Sequence, residues 1–467
     1  MRVLAVLVTA QVLSVANSNM IAVALPQLSS DLGASHVQRQ WIVDAFVLVF
    51  AALLVAGGVL ADRYGRRRAF VAGLVTFAAG SLGCALASDP GLLIGARVVQ
   101  ALGPPLILPA SLSIVTVTFS APGARARAIG VWGAGSGLGI AVGPLLGGVI
   151  VSGLGWRWVF GLSALAALGL ASAALRLIPR DAQAAPTRRF DHLGALLVTA
   201  VLASLVFGLI EGPGRGWTSS AVLLAFATTV LLAAAFVAAE RRHPAPLVDL
   251  ELVRRPVFAA ANLAAATLMF VMLATSVYLS DFLQTFRGST PLQAGLTLLP
   301  LGAATALFAA ASGRLTARVP ARVAIVVGLL CAAGGALLLS RVGAAPGAGL
   351  LWPALFAIGA GAGIALPATT ATAVAAVDAA RTGMASAIHN AGRQVGATLG
   401  VAVLGSIVTA HATAGTATAY ADGLSIALLV ATTALVATAA ITLKLVPRTR
   451  KARDSCTALG ALDTPPR

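Results

Sequence analysis

Fourteen apolar runs of about 20 residues each leave this chain one environment in which it can fold. A run of that length, coiled as a helix, matches the hydrocarbon thickness of a bilayer. Inside lipid no water is available to the backbone, so each crossing segment must bond its own N–H and C=O groups, as a helix does. The first run covers residues 3–25 and the last 424–445. Composition agrees, since 58% of the 467 residues are hydrophobic and 10% are charged. A soluble protein of this length would need about three domains with charged surfaces, and that charge is missing. The expected fold is therefore an all-α membrane protein with 14 transmembrane helices.

Where the charges fall sets the orientation. With the amino terminus inside, 25 of the 32 Lys and Arg residues collect on one face, including Arg63, Arg66, Arg67 and Arg68. The other face receives five: Arg39, Arg157, Arg215, Arg287 and Arg341. Arg97 and Arg393 fall within spans. The positive-inside rule then places the protein in the cytoplasmic membrane as a multi-pass chain with both termini in the cytoplasm. The net charge of +17 becomes a topology signal and an attraction to anionic lipid, and nucleic acid is not an expected partner. Trp41, Trp156, Trp158, Trp217 and Trp352 sit near the outer boundary, as an aromatic belt would. Residues 1–18 imitate a secretory signal, but the apolar run continues through Leu25 and reads as the first span. Cys84 and Cys331 lie within spans and Cys456 in the tail, so neither a disulfide nor a metal site is expected.

A weak internal repeat organises the chain. GVLADRYGRR at 58–67 follows the second span, and GRLTARVPAR at 313–322 follows the tenth, with Gly, Leu and two Arg at matching spacing. This implies two six-helix bundles with an inserted helix pair. The expected divisions are 1–178 for the first bundle and 179–256 for a linker plus helices seven and eight. The second bundle spans 257–446, and 447–467 form a disordered basic cytoplasmic tail. Paired bundles related by an axis along the membrane normal are a common transporter plan, with the site between them near mid-membrane.

The loop at 58–67 resembles the GxLaDRxGRR signature of the major facilitator superfamily. GIAVGPLLGG at 139–148 resembles the GxxxGPxxGG signature of its antiporters, and Leu93, Arg97, Gln100 and Gly103 match most of a fourth-helix pattern, LxxxRxxQGxG. WRW at 156–158 and STPLQAG at 289–295 are similar to segments of the fourteen-helix drug:proton antiporter branch. The resemblance covers nearly the whole chain. It implies that Gly58, Asp62, Arg63, Gly65 and Arg67 latch the cytoplasmic ends of the bundles and release as the protein changes face. Read from its residues alone, the same loop is a turn whose basic charge sets topology. Gly139, Gly143 and Gly147 recur every four residues beside Pro144 and Gly148. Small residues let helices approach closely and Pro removes a backbone donor, so the stripe serves either a sliding helix or static tight packing.

Buried charge is the most informative remaining feature. Asp44 lies within the second span, where a charge is costly and is by default a functional candidate. Arg97 lies at a similar depth, and the two pair if their helices face each other. A carboxylate that alternates between a guanidinium and a proton couples helix movement to proton binding; the alternative places Asp44 among wet headgroups. Asp281 lies just past the outer end of the ninth span. Relatives in the antiporter branch have an Asp in the first span, in a segment like LDxTxxNxALP. Here the matching run is ANSNMIAVALP at 16–26, with Asn17 in its place. Asn17, Asn19 and Gln100 either line a cavity or join helices. In span 13, Asn390 and Arg393 share one side of the helix and either face the cavity or begin the helix near headgroups.

These features lead to an expected secondary exporter of amphiphilic small molecules, drugs or antibiotics among them, working by proton antiport and alternating access. Its partners are the substrate, protons and the bilayer; it needs no cofactor and acts as a monomer. It is not expected to be an enzyme, for the spans offer no nucleophile–base pair at recognisable spacing and no GxxxxGK[ST] loop occurs. A proton-coupled nutrient importer of the same superfamily, or a receptor that transports nothing, are the rival readings.

Overall fold

A computed structural model describes residues 1–119, 122–179, 191–243, 246, 248, 250–341, 348–377, 382–412 and 415–447. The tail beyond residue 447 and the polar linker at 180–190 lie outside the described residues. So do the side chains of Asp62 and of the repeat at 313–318. Among the described residues, fourteen helical segments are long and apolar enough to cross a membrane.

The first bundle comprises α1 (Arg2–Leu32), α2 (His36–Tyr64), α3 (Arg66–Ala85), α4 (Pro90–Ala101), α5 (Pro104–Thr118), α6 (Pro122–Leu154) and α7 (Arg157–Leu177). An inserted pair follows, α8 (His192–Arg215) and α9 (Ser220–Arg242), then the short α10 (Leu250–Arg254). The second bundle contains α11 (Pro256–Thr285), α12 (Pro291–Arg318), α13 (Ala321–Leu339), α14 (Ala348–Ala375), α15 (Thr382–His411) and α16 (Ala417–Leu445). The end of the molecule at which α2 turns into α3 is called the arginine-rich face below.

Local chemistry sets the helix ends. α1 stops where Gly33 enters the left-handed region at φ 65°. α2 opens on a reciprocal capping box between Ser35 and Gln38. That start lies several residues before the apolar run, which places Asp44 two turns inside the helix rather than one. The fourth crossing, expected as one helix over 91–115, is broken between α4 and α5. Gly103 occupies the break, followed by Pro104 and Pro105, which have no N–H to continue the ladder. The break serves packing: a Cβ on Gly103 would lie 2.6 Å from both the Gly73 carbonyl oxygen and the Phe77 Cβ.

Helix contacts repeat between the bundles. α1 packs along α6 and α7, as α11 does along α15 and α16; α3 packs on α4, α5 and α7, as α13 does on α14 and α16. The bundles meet chiefly at two seams, α6 against α12 and α2 against α15, with a smaller contact of α1 on α11. α8 lies across the second seam, touching α2 and α15, while α9 packs mainly on α8. α9 exposes Leu224, Val230 and Leu231 by 68%, 68% and 70%, a surface suited to lipid.

Glycines make the close approaches. On one side of α6 a Cβ on Gly139 would lie 2.8 Å from Val15 Cβ, and one on Gly143 2.7 Å from Asn19 Cβ, so α1 fits only against bare backbone. On another side a Cβ on Gly148 would lie 2.8 Å from the Pro291 carbonyl oxygen, at the start of α12. Gly295 of α12 answers, its missing Cβ leaving room for the Pro144 carbonyl. The GP motif thus serves a contact within the first bundle and a seam between bundles. α15 carries a similar stripe, Gly396 and Gly400 meeting the backbone of Ala266 and Phe270 on α11.

Gly143→Leu should therefore destabilise the protein by at least ~1–3 kcal/mol, the usual cost of overpacking, seen as a lower melting midpoint in detergent. Gly153 has nothing within 4 Å of its missing Cβ, and Gly153→Leu should melt like the parent. Equal midpoints for both variants would remove the packing argument.

Candidate functional site

Arg97 organises the first bundle. Its side chain is fully buried on α4 and donates from Nε to the Ile42 carbonyl at 3.1 Å. Nη1 donates to Asn17 Oδ1 at 3.3 Å and to Gln100 Oε1 at 2.7 Å. The guanidinium lies 4.2 Å from the centre of the Phe46 ring, a favourable place for a cation out of water. Asn17 in turn donates to Ser163 Oγ at 3.0 Å, and Gln100 to Ser81 Oγ at 2.7 Å. One cation thereby ties α1, α2, α3, α4 and α7 together. Of the two readings of Asn17 and Gln100, the structure supports helix joining: both are buried in this network, and neither lines a described cavity. Asn19 donates to the Val15 carbonyl at 2.8 Å, on the α1 face that meets α6.

Asp44 does not pair with Arg97. The helices adjoin, but Arg97 reaches the α2 backbone at Ile42, on the side that faces the first bundle. Asp44 lies one turn from Gln40, whose Nε2 donates to the Tyr278 hydroxyl of α11 at 3.3 Å. Residues four apart share a helix face, and Asp44 lies within electrostatic reach of the same Tyr278. Its carboxylate is 0% exposed and neither oxygen has a hydrogen-bond partner. The wet-headgroup alternative therefore fails, and so does the expected ion pair.

Away from the arginine-rich face the bundles are tied by polar contacts. Arg39 Nη1 lies 3.5 Å from Asp281 Oδ1. Tyr420 donates to Asp281 Oδ2 at 2.9 Å and Thr285 to Oδ1 at 3.2 Å. Asp281 is not beyond its helix, as expected, but buried near the end of α11. Tyr278 donates to the Val401 carbonyl at 2.8 Å, and Gln284 donates to the Val23 carbonyl at 3.0 Å. At the other seam the Leu292 N–H donates to Ser152 Oγ at 3.1 Å. A narrow cleft of about 20 Å³ lies among Arg39, Gln40, Tyr278, Asp281 and Tyr420.

A second cavity, of about 250 Å³, lies toward the arginine-rich half between α2, α8, α11 and α15. Its walls are apolar apart from Asn262, whose Oδ1 is buried without a partner. Asn390 and Arg393 occupy the same stretch of α15, joined by a 3.4 Å hydrogen bond. Beside them the buried His389 contacts Thr370 Oγ1 at 3.2 Å.

Comparison with known proteins gives the family. The sequence model of the Major Facilitator Superfamily matches residues 7–401. The chain belongs to the major facilitator superfamily. It is 36% identical over 390 residues to multidrug resistance protein Stp of Mycobacterium tuberculosis, covering 84% of this chain and 72% of that protein. It is 34% identical to puromycin resistance protein pur8 of Streptomyces alboniger, over 99% of this chain and 95% of that one. In structure it is similar to the peptide transporter POT in complex with sulfate, at TM-score 0.68 and 19% identity over 95% of both chains, a likeness of fold.

The superfamily loop at 58–67 can be followed in part. Gly65 holds the turn at φ 97°, a region side chains avoid. Arg63 lies over the Tyr64 ring at 5.4 Å, and Arg67 Nη2 donates to the Leu175 carbonyl at the end of α7. Gly58 makes ordinary contact with Pro109, whereas its neighbour Gly57 has no room for a Cβ against the Pro105 backbone. The sequence reading missed Gly57, because a motif marks a position without saying which face it turns inward.

Asn17→Leu should remove one acceptor from Arg97 and the donor to the Ser163 oxygen and cost ~1–3 kcal/mol, the usual cost of buried polar groups losing a hydrogen bond, while Asn17→Asp should fold as well as the parent. Thermal melting of the purified variants checks this, and an unaffected Asn17→Leu would show the network to be incidental.

Proposed function

We propose that this protein is a proton-driven exporter of amphiphilic small molecules, drugs or antibiotics among them. On this reading it lies in the cytoplasmic membrane with the arginine-rich face and both termini in the cytoplasm. The family membership and the resistance proteins among its relatives support the class of activity. The observation that carries the coupling is Asp44, a fully buried carboxyl without a hydrogen-bond partner on the helix face that meets the second bundle.

The steps follow from the residues. The ties of Arg39 and Gln40 to the second bundle, and of Gln284 back to the first, close the molecule toward the exterior. Rocking of the bundles about their glycine-lined seams would break these contacts and expose Gln40, then Asp44 one turn deeper, to outside water. Asp44 takes up a proton there and loses its charge, which removes the cost of returning it to the dry seam. Release to the cytoplasm lets the membrane drive the cycle, at ~2.3 kcal/mol per charge per 100 mV. Asn390 and Arg393 offer polar anchors for a substrate entering from the cytoplasmic half, and the apolar cavity beside them suits its greasy part. Gly58, Asp62, Arg63, Gly65 and Arg67 form the cytoplasmic turn that must shift as the bundles rock, and Gly139, Gly143, Pro144, Gly147 and Gly148 the surface on which they slide.

A drug-susceptibility panel with and without expression tests direction and substrate class together. Expressing cells should tolerate more of some amphiphilic compound and accumulate less of it, and a protonophore should abolish the difference. Asp44→Asn, expressed at normal level, should remove the protection. Efflux that persists in de-energised cells, or in Asp44→Asn, would end the proton-coupled reading.

A further inference from the structure

The inserted helices carry a buried pair of carboxyl groups that the transport cycle above does not use. Asp191 is the N-cap of α8 and its Oδ1 accepts from the Gly194 N–H at 2.7 Å. Glu240 lies in the last turn of α9 and its Oε2 accepts from the Val248 N–H at 3.1 Å. Both residues are 3% exposed. Each uses one oxygen on the backbone and leaves the other, Asp191 Oδ2 and Glu240 Oε1, buried without a hydrogen-bond partner. These two oxygens converge over Gly194, each 2.5 Å from the position a Cβ would occupy there. Each being 2.5 Å from that one position, the two oxygens lie within 5 Å of each other. Two carboxylates that close repel and cannot both stay ionised. Neither can donate, so the missing partner of both oxygens is a single hydrogen.

We propose that Asp191 and Glu240 form a second proton-binding site, sharing one proton that fastens the inserted helices to the segment leading into the second bundle. One carboxyl O–H donates to the facing oxygen of the other, and the proton comes from water at the arginine-rich face. Of the charged groups around it, His243 faces the pair, its Nδ1 3.9 Å from Asp191 Oδ2 and too far for a hydrogen bond. His192, Arg241 and Arg242 are exposed to solvent.

What the proton holds in place is Val248. Its N–H is bound by Glu240, and its side chain packs against two apolar clusters, one containing Leu252, Phe258 and Ile388 and the other Ala56 and Ala195. Val248 also lines the apolar cavity between α2, α8, α11 and α15. Loss of the proton sets the two carboxylates against each other and loosens this wall, so proton binding at the inserted pair controls the shape of the cavity.

The test uses the full-length protein in lipid nanodiscs, without substrate. Infrared spectra should contain the carbonyl band of a protonated carboxyl. One protonated-carboxyl band should be lost from the parent spectrum in Glu240→Gln and the same band in Asp191→Asn, and it should be distinct from any band that Asp44→Asn removes. Both amide variants keep the backbone acceptor and supply an N–H where the shared proton was, so both should fold. In the parent the melting midpoint should fall as pH is raised and the pair loses its proton, whereas both amide variants should keep the midpoint of the acid form. An amide variant that leaves the parent's protonated-carboxyl bands unchanged, or the same pH dependence in all three proteins, overturns the proposal. Neither measurement involves transport, so failure here leaves the exporter reading untouched.

Discussion

Helices in lipid have no water to flee from one another, and they associate through close contact of small residues. That constraint explains why glycine, 49 residues in all, is concentrated in the packing of this protein rather than in its turns. α6 meets α1 and α12 through bare backbone at Gly139, Gly143 and Gly148, and α15 meets α11 in the same way at Gly396 and Gly400. Such surfaces fit tightly without interlocking large side chains. They hold each bundle together and still leave the seams between bundles free to shear.

The two seams are not equivalent. α6 and α12 pack directly, with Gly148 and Gly295 on opposite sides of the contact. α2 and α15 also pack together but are bridged by α8, and the larger cavity opens where the three meet α11. Space is therefore available on the bridged side. The polar ties away from the arginine-rich face run from Arg39 and Gln40 of α2 to α11 on the bridged side, and from Ser152 of α6 to α12 on the other. A movement that opens that end must break both sets.

The fold was legible in the sequence to a greater degree than the site. Fourteen crossings could be read because lipid imposes a run of apolar residues on each, and the arrangement of two bundles with an inserted pair followed from the repeat and the family motifs. The break in the fourth crossing was not read, because Gly103, Pro104 and Pro105 continue the apolar run that was being counted. Arg97 and Asp44 were singled out correctly as buried charges. Their partners were not, because depth along a helix is legible from sequence and rotation about its axis is not. The same gap concealed Asp281, bonded to Arg39 and Tyr420 on two other helices, and the meeting of Asp191 with Glu240, which lie at opposite ends of the inserted pair in sequence and side by side in space.

The separation of Asp44 from Arg97 changes how coupling must be understood here. A buried guanidinium facing a carboxylate would make protonation of that carboxylate costly, since removing one charge of a buried pair strands the other. With Asn17 in the place of the acid, Arg97 is held by neutral groups only: the Ile42 carbonyl, Asn17, Gln100 and the Phe46 ring. None of these changes charge at any accessible pH, so Arg97 has no carboxylate partner among the described residues with which to exchange a proton. A carboxyl that gains and loses a proton must then sit elsewhere, and among the buried acids Asp44 is the one on a seam without a hydrogen-bond partner for either oxygen. The substitution that removes the acid from α1 leaves Arg97 a structural cation, and the proposed coupling moves from inside one bundle to the surface between two.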